Sequence, residues 1–241
     1  MLIWIIIATV GVSLISIIGL FTLSLKEEFF NKTLLFLIAL SVGALLGGAF
    51  LHLLPEAAEA GENIFIFVLF GIILFLLIEK LLHWRHCHDG KCEKHPVTYL
   101  TLIGDTIHNF IDGLIIAGAF LVNWKIGLIT LAAIALHEIP QELGDFAILI
   151  YGGFTKKRAL ILNFLTALSS ILGGIIGYFV LDKITFALPY ILALAAGGFI
   201  YIALADLIPE LHKEGSRNKQ ILLFLVVIFG MILMYLLRFF E

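Results

Sequence analysis

Long apolar runs separated by short polar ones set the pattern of this chain. Residues 2–25, 159–181, 184–205 and 220–237 contain no charged side chain. Each is about the length a helix needs to cross ~30 Å of hydrocarbon. A backbone in lipid has to satisfy its own hydrogen bonds, so such runs predict helices and not open strands. Polar breaks fall at KEEFFNK, PEAAEAGEN, residues 84–96, VNWK, GGFTKKR, LDK and HKEGSRNK. They delimit eight spans, roughly 2–25, 33–54, 63–83, 97–121, 125–151, 158–181, 184–209 and 219–240. The expected fold is an all-α integral membrane protein, with residues 1–241 forming one transmembrane domain.

Composition agrees with that pattern. Of 241 residues, 61% are hydrophobic, and the mean hydropathy is +1.11. A soluble domain stays nearer half apolar. The net charge of −3 adds little, because it averages over compartments; where the charges sit says more. With the N-terminus placed outside, the cytoplasmic connections hold Lys26, Lys32, Lys80, Arg85, Lys91, Lys94, Lys156, Lys157, Arg158, Lys213, Arg217 and Lys219. That is twelve of the fifteen basic residues. The bias predicts both termini outside, in a cell membrane. The opening MLIWIII lacks a basic leader region and a small-residue cleavage site, so it reads as a retained span. No nucleic-acid partner is expected.

Two segments repeat at an offset of 154. Gly43, Ala49, Leu53, Pro55 and Glu56 match Gly197, Ala203, Leu207, Pro209 and Glu210, and His52 falls opposite Asp206. They lie on spans two and seven, which run in opposite directions. The expected architecture is an inverted repeat, spans 1–3 and 6–8, around central spans 4–5. Such repeats with a midplane site are characteristic of transporters.

Spans four and five carry the polar groups. Asp105, His108, Asn109 and Asp112 fall within an arc of about 100° on a helix. His137, Glu138, Gln141, Glu142 and Asp145 fall within about 140° on the next. A carboxylate facing lipid costs ~3 kcal/mol or more, so each stripe should face the other or a wet cavity. The stripes also share a pattern: His, then a polar residue, then an oxygen donor at i+4. Imidazole together with carboxylate suits Zn²⁺ and its first-row neighbours, and no thiolate lies at this depth. Pro140 frees the carbonyl of Leu136 and predicts a bend.

HNFIDG and HEIPQELGDF resemble the paired signatures of the ZIP (Zrt/Irt-like) metal transporters, the second being closest to the LIV-1-type pattern. AFLHLLPEA and ALADLIPE are similar to that family as well, so the resemblance covers nearly the whole chain. It implies uptake of divalent metal, mainly zinc, into the cytoplasm by a homodimer. By motif position, His108, Asn109, Asp112, His137, Glu138 and Gln141 would be ligands, with Gln141 standing where the family usually has His or Glu. Some members add a glutamate on span six. Here Ser169 or Ser170 stands near that place, which leaves a second metal site incomplete.

The polar stretch 84–96 offers His86, Cys87, His88, Cys92 and His95 as a flexible cytoplasmic metal-binding loop without the spacing of a zinc finger. A reducing compartment would keep its cysteines as thiols. His52, Glu56, Glu59 and Glu62 form an acidic mouth at the outer end of span two. Asp206, Glu210, His212 and Glu214 form a counterpart at the inner end of span seven. The function expected is transport of Zn²⁺, with Fe²⁺, Mn²⁺, Co²⁺ and Cd²⁺ as other substrates of the same chemistry. No GxxxxGK[ST] loop is present, so no nucleotide drives it. A zinc hydrolase within the membrane and a metal-sensing receptor are the alternatives. The hydrolase fails the HExxH test, since Gln141 replaces the second histidine.

Overall fold

The computed structural model describes residues 1–20, 27–59, 61, 63–86, 97–184 and 186–237; within these, the side chains of 27–32, 82–86, 133 and 181–184 are undescribed. Eight described helical segments are long and apolar enough to cross a membrane: 2–19, 33–58, 64–81, 97–122, 124–151, 156–180, 188–212 and 217–237. No strand occurs among the described residues. Cys87, His88, Cys92 and His95 lie outside them, and His86 ends the third-span helix without a described side chain.

Local chemistry sets where the helices start and change. The Asn123 side chain accepts from Ile126 N–H at 2.9 Å and opens span five. Thr155 does the same for span six, from Arg158 N–H at 3.3 Å. These side-chain oxygens take up amides that the first helical turn leaves unpaired.

Span one is α-helical only over Leu2–Ser13 and tightens to a 3₁₀ turn at Leu14–Gly19. Hydroxyls compete for the backbone here: Ser13 Oγ donates to Thr9 O at 2.9 Å, and Ser16 Oγ to Ser13 O at 2.7 Å. Such back-bonding disturbs a helix. Span six is likewise interrupted, after Ala167. Ser13 Oγ also reaches Ala167 O at 2.7 Å, tying the two breaks together.

Spans two and seven share another departure. Each opens into a π-helical turn, at Gly48–Leu53 and Ile202–Leu207, and resumes as a short α-helix, Leu54–Ala58 and Ile208–His212. The prolines supply a reason. Pro55 and Pro209 lack an N–H, and their rings crowd the carbonyl four residues back; a widened turn just before each relieves the crowding. Pro140, in contrast, sits inside an uninterrupted helix, Trp124–Tyr151.

Small residues let the spans touch backbone to backbone. A methyl on Gly43 would overlap the carbonyl of Val227 beside Gly230, joining spans two and eight. A methyl on Gly197 would overlap the carbonyl of Val68 beside Gly71, joining spans seven and three. Spans four and six close on each other through Gly113 and Gly173 in the same way. The main apolar core, including Val42, Leu45, Phe75, Phe199 and Ile202, lies among spans two, three, four, five, seven and eight. Spans four and five pack against each other along the middle of the molecule, so their polar stripes meet there.

Candidate metal centre

His108, Asp112, His137 and Glu138 are buried and each offers one ligand atom, all within 4.8 Å of one another. The polar atoms alternate. His108 Nε2 lies 3.3 Å from Glu138 Oε1 and 3.6 Å from Asp112 Oδ2. His137 Nε2 lies 3.3 Å from Asp112 Oδ2 and 3.8 Å from Glu138 Oε1. Ligands held 2.0–2.1 Å from a tetrahedral Zn²⁺ stand about 3.3 Å apart. The four side chains therefore already have nearly the spacing of a coordination shell, with two imidazoles and two carboxylates.

Helical register explains the convergence. His108 and Asp112 are one turn apart on span four and share a face. His137 and Glu138 are adjacent on span five, about 100° apart around the helix, yet both reach span four: Glu138 Oε1 meets His108 and His137 Nε2 meets Asp112, each at 3.3 Å.

The remaining stripe residues divide into two groups. Gln141 joins His52, Glu56, Asp112 and His137 around a cavity of about 190 Å³. The His52 ring stands 6.0 Å from that of His137, which in turn is 5.5 Å from that of His108. His52 Nε2 donates to Met234 O at 2.9 Å, fixing its ring. All three imidazoles line this cavity, so the cluster opens directly into it. Glu59 is exposed outside this set, and Glu62 is not among the described residues.

On the other side of the cluster lie Asp105, Asn109, Glu142 and Asp145, all buried. Asn109 Nδ2 donates to Asp105 Oδ1 at 2.7 Å. Its Oδ1 is buried without a hydrogen-bond partner among the described residues, as are both oxygens of Glu138. Those lone pairs are available to a cation. Asp105 and Asp145 share a small space with Leu45, Thr101, Phe199 and Ile202 that has no room for a water. Phe199 also stands 5.2 Å from His108, ring to ring. The cluster is open toward His52, whereas on the Asp105 side the packing of Leu45, Phe199 and Ile202 closes it.

Span six reaches the site through Asn163, whose amide donates to the Glu142 carboxylate. Of the two serines singled out from the sequence, Ser169 donates to Thr106 O at 2.8 Å, and Ser170 is buried at the contact with Gly113. Asn163 was not a sequence candidate, although it is an amide in a run without charge. Replacing it with Leu leaves a buried carboxylate without that donor. The expected cost is about 1–3 kcal/mol of stability, read from thermal unfolding in detergent. An unchanged midpoint would show that Glu142 does not depend on this bond.

At the far end of span seven, Asp206 and Glu210 are buried. Tyr151, ending span five, donates to the Glu210 carboxylate, and Tyr201 donates to Glu79 of span three. His212 and Glu214 lie at the exposed end.

Comparisons with known proteins fit this arrangement. A family profile described as ZIP zinc transporter matches residues 1–97 and 85–238. The zinc transporter zipt-7.2 of Caenorhabditis elegans is 33% identical over 268 aligned residues, covering 85% of this chain and 58% of that protein. Zinc transporter ZIP13 of Pongo abelii is 37% identical over 221 residues, covering 83% of this chain and 65% of that protein. Human zinc transporter ZIP13 is 33% identical, covering 83% and 69%. The alignment spans only about three fifths of the length of the first of these relatives.

Proposed function

Because the chain belongs to the ZIP zinc transporter family, we propose that it carries a divalent metal, zinc first, into the cytoplasm through the centre formed by His108, Asp112, His137 and Glu138. The observation that carries this reading is the alternation of two imidazoles with two carboxylates at coordination spacing, buried among helices built for lipid. An isolated carboxylate at that depth is costly, so such groups pair or hold a cation. Fe²⁺, Mn²⁺, Co²⁺ and Cd²⁺ suit the same donors, and metal supply decides among them more than raw affinity does.

Asn109 and Gln141 are secondary ligands in this reading, each placed one step from the centre. Asp105, Glu142 and Asp145 receive the ion on its way inward. The loop 84–96, with His86, Cys87, His88, Cys92 and His95, takes it up in the cytoplasm. Basic residues concentrate on that side, which supports both termini lying outside. The cavity at His52 and Glu56 is then the outer mouth.

Matched π-helical turns 154 residues apart support an inverted repeat, and the opening at one end with closure at the other supports alternating access. The Tyr151–Glu210 hydrogen bond holds span five to span seven at the closed end. The chain acts as a homodimer in a cell membrane, as the family resemblance implies.

The test is ⁶⁵Zn²⁺ flux with protein reconstituted in known orientation. Saturable flux from the His52 face to the Asp206 face, without nucleotide, is the expected result. Tight zinc binding with no flux would replace transport by sensing. Release of a cleaved peptide or lipid would replace it by hydrolysis.

A further inference from the structure

A second cavity, about 570 Å³, lies between the end of span seven and span eight, where Ile221 and Phe224 are exposed, and none of the four metal-centre residues lines it. Its walls are Leu46, Leu211, Phe224, Val227 and Met231, and its rim carries His212, Arg217 and Gln220. We infer that this groove is a binding site for one anionic phospholipid, with the phosphate at Arg217 and His212 and an acyl chain along the apolar walls.

Three observations fix the occupant. The first is charge. Lys213 is 2.6 Å from Glu210, and Lys219 is 3.5 Å from Glu214. The Ser216 backbone N–H, then Lys219, hold the Glu214 carboxyl below its ordinary value. Arg217 makes no ion pair with any described residue, yet it stands on the rim of the groove. A guanidinium there matches a phosphate bidentately.

The second is length. From Arg217 to Met231 the helix rises about 21 Å. Half a bilayer with its headgroups is about 20–22 Å thick. The groove therefore runs from headgroup level to the midplane, the reach of one lipid of one leaflet.

The third is sidedness. His212 and Lys213 lie 154 residues after Ala58 and Glu59. At the matching end of span two, Ala58 stands in place of His212, Glu59 in place of Lys213 and Asn63 in place of Arg217, so no basic rim exists there. The site belongs to one leaflet only, the one on the Asp206 side.

The groove borders Ile208–His212, the short helix that carries Glu210. A bound lipid would brace the closed end of span seven. The site does not depend on transport, so its test is separate from zinc flux.

The experiment is native mass spectrometry of the full chain in detergent, titrated with phosphatidylglycerol, phosphatidylcholine or inorganic phosphate. One phosphatidylglycerol per chain is expected, bound more tightly than phosphatidylcholine and not displaced by inorganic phosphate. Arg217→Gln should weaken phosphatidylglycerol about fivefold and leave phosphatidylcholine unchanged. Ile221→Trp, at an exposed wall position, should weaken it by filling the groove without changing charge. Equal binding of the two lipids, or no effect of Arg217→Gln, overturns the proposal. So does a dimer that Ile221→Trp converts to monomers with lipid binding intact, since a second copy would then be the occupant. Both variants change exposed residues, and an unchanged unfolding midpoint shows that a loss comes from the site.

Discussion

His108→Ala and His137→Ala should each abolish saturable zinc flux and weaken zinc binding by more than about a hundredfold. Loss of a group that merely orients a ligand costs 10–100-fold in affinity, and each of these histidines contacts both carboxylates of the cluster directly. Removing one leaves a single imidazole against two acids. The pair Asp112 and Glu138 then keeps only one of its two imidazole partners, and nothing else within the four-residue cluster replaces the one lost. The measurement is isothermal binding of zinc to purified protein alongside flux into proteoliposomes. Flux and binding retained in both variants would remove the centre from the path and leave the loop 84–96 to be examined. His52→Ala is the informative companion. Its ring lies beyond His137, so flux should slow while binding at the cluster persists.

Gly113→Ala should destabilise the protein by about 3 kcal/mol, at the upper end of what one added methyl costs in a packed interior. The reason is what the methyl would strike. It would overlap the carbonyl of Ser170, and the backbone nitrogen of Gly174 stands 2.7 Å from the same point. Backbone cannot swing aside as a side chain can. Span four would have to part from span six, taking its neighbour Asp112 away from His137. Gly173→Ala strikes the carbonyl of Phe110 from the opposite side and should behave alike. Gly11→Ala is the control, because a methyl there meets nothing within 4 Å. It should be neutral or stabilising, as alanine favours the helix by up to about 1 kcal/mol. Thermal unfolding in detergent reads all three. Equal midpoints would mean that spans four and six are not clamped at Gly113.

What the sequence disclosed followed from how strongly lipid constrains a chain. The eight spans could be counted because hydrocarbon tolerates no unpaired backbone, and charged breaks mark the limits. The cluster could be anticipated because acids on an oily helix must share a face. His108, Asp112, His137 and Glu138 met as their spacing required. What stayed hidden depends on rotation and depth between helices. Spacing alone could not separate Glu138, which turns into the centre, from Glu142, which turns to Asn163. Nor did it reveal that Asn109 spends its amide on Asp105, or that Tyr151 reaches Glu210 across 59 positions. The break in span one also escaped, because Leu14–Gly19 is as apolar as any helix and only its hydroxyl bonds unsettle it.

The π-helical turns at Gly48–Leu53 and Ile202–Leu207 have a mechanical consequence. Each holds one residue more than an α turn would. Were that surplus passed on, everything beyond it would rotate by about 100° and advance about 1.5 Å. For Glu56 or Glu210, such a quarter turn is the difference between facing the polar path and facing oil. The backbone would exchange hydrogen-bond partners in sequence instead of losing them together. Spans two and seven therefore each contain a screw thread, set at matching positions, that can turn a carboxylate in or out without a hinge.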